Sequence, residues 1–270
     1  MEETPEDTPN EMSFIDHLEE LRWHLIRAAI AITVFTVAAF VCMPYIFHHI
    51  ILAPSRTDFW TYRMLCQLSP SLCIEKINFT LQSRNMSGQF TMHILASVVS
   101  GIVISFPYVF WEIWRFVKPA LRGKEKRYTS GAVLAVTTLF AMGILFGYYI
   151  IAPLSINFLA NYKLDESIAN QFDITSYMST LCMLVLGSGL MFQLPVLIYV
   201  LSAMGIMTPM FMRTYRRHSV VIIFFIAAII TPSPDILSQV LVALPLILLY
   251  ELSIFVSASV YKKRLKSVEE

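Results

Sequence analysis

Ser13-Phe14-Ile15-Asp16-His17-Leu18-Glu19-Glu20-Leu21-Arg22 runs directly into an apolar stretch from Leu25 to Met43. That stretch is close to the ~20 residues that a helix rising ~1.5 Å per residue needs to cross a ~30 Å hydrocarbon core. Ser13 and Asp16 have the spacing of a capping box, so a helix is expected to begin near Phe14 and to continue into the apolar run. Glu20 and His24 then lie one turn apart, and Glu19 projects about 100° away. Carboxylates at this depth are unusual, because cytosolic flanks of membrane spans favour Lys and Arg. They call for a task that needs negative charge.

Five more apolar runs follow: Phe90 to Phe110, Tyr128 to Ala152, Thr175 to Ala203, Ser219 to Ile230 and Ile236 to Val256. With 56% hydrophobic and 14% charged residues in a chain of 270, the composition exceeds what a soluble domain buries. The expected fold is all-α, a single polytopic domain of six transmembrane helices in a lipid bilayer. Residues 1–24 form its N-terminal segment, 44–89 a long outer loop and 257–270 its tail. The fifth run would reach only ~18 Å, which requires little tilt, a thinned bilayer or neighbours that shield its ends. Pro107, Pro195 and Pro245 each fall inside a run and are expected to kink it.

Fifteen of the 20 Lys and Arg fall on one side of this topology. They flank the first span, fill the connection from Arg115 to Arg127, and recur at Arg213 to Arg217 and in the tail from Lys262. By the positive-inside bias both termini are cytosolic. The acidic, proline-bearing start from Met1 to Glu11 has neither the basic region nor the early apolar core of a signal peptide. A formal net charge of +1 gives no reason to expect a nucleic-acid partner.

Cys66 and Cys73 lie in the long outer loop, where an oxidising compartment would let them close a disulfide or leave them as two free thiols. Cys42 and Cys182 sit inside spans and are expected to pack as small apolar residues. His48 and His49 have no acidic or thiol partner at metal spacing and are read as solvated loop histidines, so no metal and no cofactor are expected. Gly143 and Gly147 form a GxxxG step that lets helices approach. Gly187-Ser188-Gly189 has no His at comparable depth, so no catalytic residue is assigned there and helix packing is expected. Gln193, an amide deep in the fourth span two residues before Pro195, must find a partner or water. It is read either as a hydrogen bond between helices or as an intramembrane polar site. Glu251 falls ~22 Å along the last span, near its cytosolic edge, where it can snorkel or pair. Asp235 is expected to serve the N-terminus of the last helix, with Gln239 one turn later. Glu125, the sole acid between Phe116 and Arg127, would by composition alone be a surface ion pair.

His17-Leu18-Glu19-Glu20-Leu21-Arg22, Phe116 to Arg127 with Pro119-Ala120-Leu121, Phe192-Gln193-Leu194-Pro195-Val196, Tyr215-Arg216-Arg217-His218 and Thr231-Pro232-Ser233-Pro234-Asp235 with Ser238-Gln239, Pro245 and Tyr250-Glu251 together resemble the TatC family. TatC is the large polytopic subunit of the twin-arginine protein translocase, and the resemblance covers nearly the whole chain. It implies a receptor in the bacterial cytoplasmic (inner) membrane for twin-arginine signal peptides of folded cargo, with no enzyme activity and with export driven by the proton motive force. The two glutamates that read the paired arginines fall on Glu20 and Glu125. A guanidinium offers a planar fork that a carboxylate accepts in bidentate fashion and that lysine cannot reproduce. The resemblance also implies single-span partners of the TatA and TatB type in a multimeric complex, docking near Thr231 and Gln239.

Two departures from the common family pattern stand out. Gln193 occupies a position where glutamate is frequent, and an amide cannot release a proton. His24 stands where arginine is frequent. The runner-up reading is a secondary transporter of a small solute, which would fit six spans and Gln193 but lacks a visible internal repeat. An intramembrane protease lacks its nucleophile and base, and an ATP-driven pump lacks a phosphate-binding loop around Gly123-Lys124.

Overall fold

The computed structural model describes residues 14–69, 73, 79–117, 129–165, 167, 170–231 and 236–269. The chain is an all-α polytopic membrane protein. Five helical stretches among the described residues are long and apolar enough to cross a bilayer, beginning at Glu19, Gly88, Val133, Ile174 and Ser238.

Helix α1 (Phe14–Ile46) is continuous from the acidic stretch through the first apolar run. The later part of the segment expected as 1–24 is continuous with the first span, as the helix expected to begin near Phe14 requires. The Ser13 end of the proposed capping box lies outside the described residues. A π-helical turn, Phe47–Ile51, extends α1 at its C-terminal end.

The stretch expected as one outer loop is built. It holds helix α2 (Trp60–Leu68), strand β1 (Thr80–Gln82) and a disulfide between Cys66 and Cys73. Tyr62 is fully buried under this cap, its hydroxyl 3.0 Å from the Pro54 carbonyl and 2.9 Å from that of Pro153, donating to one at a time. Tyr177 and Tyr148 donate to the carbonyls of Ile51 and Ile50, both at 2.7 Å. Thr61 donates to the Tyr149 carbonyl. The common cause is the irregular backbone: where the ordinary helical ladder is interrupted, carbonyls need other donors, and tyrosines supply them while filling apolar space. His48 and His49 are exposed on this side, with His49 stacked on Tyr45.

Helix α3 (Gly88–Val117) keeps Pro107 inside an uninterrupted helix. Helix α4 (Thr129–Phe146) passes through a second π-helical turn, Gly147–Ile151, into α5 (Ala152–Asn161). Strand β2 (Gln171–Asp173) pairs in parallel with β1, Leu81 opposite Phe172. This two-stranded ribbon joins the α2–α3 connection to the one that follows α5 and was not expected from the sequence. Asp173 then caps helix α6 (Ile174–Met191), accepting from the Thr175 amide at 2.8 Å and its hydroxyl at 2.6 Å.

The fourth apolar run is interrupted at Phe192-Gln193, where α6 gives way to α7 (Leu194–Ala203) with Pro195 in the first turn. Of the three prolines expected to kink spans, only Pro195 coincides with a helix break, since Pro245 also stays inside an unbroken helix. After α8 (Pro209–Thr214), helix α9 (Arg216–Ile230) is 15 residues long. It begins before the fifth apolar run because its first turn is the basic Arg216-Arg217-His218. At ~22 Å it still falls short of a ~30 Å core. Helix α10 (Ile236–Glu269) continues well past Val256, so the described part of the tail is helical.

Small residues let these helices approach. Ser202 and Ser257, both buried, bond at 2.8 Å between α7 and α10. A Cβ at Gly143 would lie 2.7 Å from the Ser188 carbonyl oxygen and 2.9 Å from the Gly189 Cα, and one at Gly187 would lie 2.9 Å from Ile230. The Gly187-Ser188-Gly189 stretch thus seats α4 on one side and α9 on the other, as helix packing requires. Cys182 is half-buried, whereas Cys42 is exposed on α1 instead of packed.

Candidate functional site

The α1–α3 hairpin carries the first carboxylate singled out by the sequence. Its helices touch backbone to side chain at mid-height: a Cβ on Gly101 would meet Thr36 Oγ1 at 2.2 Å and the Thr36 backbone nitrogen at 2.7 Å. Toward the outer end His93 Nε2 donates to the Phe40 carbonyl at 3.0 Å, with the His93 ring over Phe40. Toward the other end His24 Nδ1 meets Glu112 Oε2 at 2.5 Å.

Glu112 was missed in the sequence. It is only 1% exposed, a depth at which a lone carboxylate would be very costly. Here both its oxygens are engaged. Oε2 accepts from His24, and Oε1 accepts from the Tyr108 hydroxyl at 3.1 Å with Arg115 Nη1 3.8 Å away. Arg115 also lies over the Trp111 ring, 4.8 Å from its centroid. The signal that could have found Glu112 is its spacing. Tyr108 precedes it by four residues and Arg115 follows by three, which places all three on one helical face.

Glu20, one turn before His24, is exposed and makes no ion pair with another described residue. Glu19 is exposed as well. Glu125 and its loop lie outside the described residues, as does the Pro232-to-Asp235 turn. The acidic end of α1 thus presents two exposed carboxylates, Glu19 and Glu20, with no ion pair among the described residues, and Glu20 lies one turn before the His24 that engages the buried Glu112.

Gln193 sits at the second position of the α6–α7 break, where it is the N-cap of α7. Its Nε2 donates to the Val136 carbonyl of α4 at 3.4 Å, a long bond between helices, and its buried Oε1 has no hydrogen-bond partner among the described residues. Thr231 is buried and donates back to the Ala227 carbonyl at 3.0 Å. Gln239 donates to the Phe224 carbonyl at 3.0 Å, joining α10 to α9. The Thr231 hydroxyl and the Gln239 amide nitrogen thus both serve carbonyls of α9. Glu251 pairs with Arg216 at 2.8 Å, closing the other end of the same helix pair. Among the described residues no group of three or more His, Cys, Asp or Glu could hold a metal ion.

Residues 16–245 match the family described as Sec-independent protein translocase protein (TatC). The chain is 37% identical over 262 residues to the Sec-independent protein translocase protein TatC of Blattabacterium sp. subsp. Periplaneta americana, covering 94% of this chain and 98% of that one. It is 34% identical over 254 residues to the TatC protein of Aquifex aeolicus, again covering 94% and 98%. Among solved structures, a crystal structure of the twin-arginine translocase receptor TatC in DDM superposes with a TM-score of 0.72 at 33% identity, covering 89% of this chain and 99% of that one.

Proposed function

The chain belongs to the TatC family of Sec-independent protein translocase proteins, and from that premise we propose that it is a receptor for twin-arginine signal peptides at the cytosolic face. Glu20 and Glu125 are the two carboxylates that take the paired guanidiniums. The observation that carries the proposal is the contrast between the exposed, unengaged Glu20 and the buried, fully engaged Glu112 one turn deeper. An exposed carboxylate held on a long rigid helix can accept an incoming arginine in bidentate fashion. Lysine offers no matching fork, so a twin-lysine peptide should bind poorly.

In this reading the α9 helix forms the short fifth span, which completes the six, and both termini are cytosolic, in the bacterial cytoplasmic membrane. Fifteen of 20 basic residues on one side support that orientation. Single-span partners of the TatA and TatB type dock at the outer end of α9 and the start of α10, near Thr231 and Gln239, where a ~22 Å helix thins the bilayer. Gln193 is a neutral hydrogen-bonding site within the membrane. Energy for export comes from the proton motive force.

Cross-linking of a photoreactive twin-arginine peptide to membranes holding Glu20→Ala or Glu125→Ala tests the assignment. Each variant should cross-link less than the parent, while a twin-lysine peptide stays at its low level. Parental cross-linking in both variants would refute the assignment of these two residues.

A further inference from the structure

We infer that His24 and Glu112 form the positioning pair of this receptor, locking the cytosolic arm of α1, and Glu20 with it, against α3, the helix that leads into the loop bearing Glu125. The inference rests on the receptor reading above. Glu112 cannot itself take a guanidinium, because it is buried and both its oxygens already accept hydrogen bonds from within the protein.

The geometry says what the pair does. The α1–α3 hairpin is held tightly at Thr36 and Gly101 and again outward at Phe40 and His93. From Thr36 to Glu20 the arm extends roughly 24 Å along the helix axis. Along that arm His24–Glu112 is the polar tie between the two helices among the described residues, with His24 also edge-on to the Phe116 ring at 6.3 Å between centroids. A tilt of about 10° about the Thr36 contact would carry Glu20 by ~4 Å. A bidentate guanidinium contact does not survive such a shift. The groups around the pair are Tyr108 and Arg115 from α3 and Arg27 one turn on along α1, the last near enough to act on Tyr108. None of them bridges α1 to α3 in place of His24. Where arginine would hold the same carboxylate by charge and a fork of donors, histidine holds it by a single ring nitrogen. The tie is therefore short and directional, and its loss frees the arm.

The test uses the full chain in lipid nanodiscs, a fluorescent twin-arginine peptide and a twin-lysine control. Spin labels on Glu19→Cys and Lys126→Cys, with Cys42 and Cys182 changed to Ser, report the distance between the α1 arm and the loop. His24→Ala should weaken twin-arginine binding about tenfold and broaden the label distances, because a misplaced partner loses most of an oriented contact. His24→Arg should return both to within about twofold of the parent. Should His24→Ala fail to fold, Glu112→Gln keeps the shape, removes the charge and carries the same expectation. Parental affinity and unbroadened distances in His24→Ala, or no rescue by His24→Arg, would overturn the inference. Failure of the receptor reading is distinguishable: Glu20→Ala would then bind the twin-arginine peptide as the parent does.

Discussion

Replacing Gly101 with alanine adds one methyl group at the tightest point of the α1–α3 hairpin. That carbon would lie 2.2 Å from Thr36 Oγ1, 2.7 Å from the Thr36 nitrogen and 2.8 Å from its Cα. The hydroxyl can rotate away, but the two backbone atoms cannot. Ordinary contact begins near 3.5 Å, so α1 must retreat from α3 by roughly 0.7 Å or the helices must rotate. Overpacking of this kind costs about 1–3 kcal/mol in a well-packed interior. Gly131 in α4 supplies the control, because a Cβ there meets nothing within 4 Å. Gly131→Ala should be neutral or stabilising by up to ~1 kcal/mol through helix propensity. The assay is thermal unfolding of the purified chain in detergent, followed by intrinsic fluorescence at one scan rate. Gly101→Ala should melt below the parent, and Gly131→Ala at or above it. Equal melting of the two variants would refute the claim that the hairpin is held by backbone approach at Thr36.

Tyr62→Phe removes the hydroxyl that serves the Pro54 and Pro153 carbonyls and should cost about 1–3 kcal/mol, seen as faster amide exchange in the outer cap. Asp173 is held below the usual carboxylate range, first by the Thr175 hydroxyl and amide and then by the Arg84 amide. Because its folded pKa is depressed, the stability it contributes is present above the unfolded value of ~3.9 and is lost as pH falls through the lower folded value. The protection factor of the Thr175 amide, its exchange corrected for the intrinsic slowing in acid, should therefore fall on acidification below pH ~4 in the parent, and Asp173→Asn should lack that dependence. Arg216→Ala should alter stability by no more than ~1 kcal/mol in the same melting assay, since the Arg216–Glu251 pair is half exposed. A larger loss would mean that the pair is shielded from solvent in the membrane.

The helices were legible because spans demand long apolar runs, and those runs show in Leu25 to Met43 and its successors. Their ends were less so. The second run was read as ending at Phe110, which left Glu112 unremarked just beyond it. In the structure α3 continues to Val117, so the carboxylate is buried and needs His24. A partner 88 residues away leaves no local pattern. The same holds for Gly101, whose importance comes from Thr36 on another helix, and for β1 and β2, three-residue strands set by pairing across distant connections. Pro195, expected to kink its span, lies in the first turn after a helix break. Pro107 and Pro245 did not interrupt their helices, since membrane helices tolerate proline where neighbours satisfy the freed carbonyls. In the long loop the sequence offered Cys66 and Cys73, but not Tyr62, one of whose two carbonyl acceptors lies 91 residues away on α5.

A charge exchange at Glu20 tests the receptor account most directly. Glu20→Arg should abolish binding of a twin-arginine peptide to the full chain in nanodiscs. A peptide in which one of the paired arginines is replaced by glutamate should bind Glu20→Arg better than it binds the parent. Undiminished binding of the twin-arginine peptide to Glu20→Arg would contradict the account.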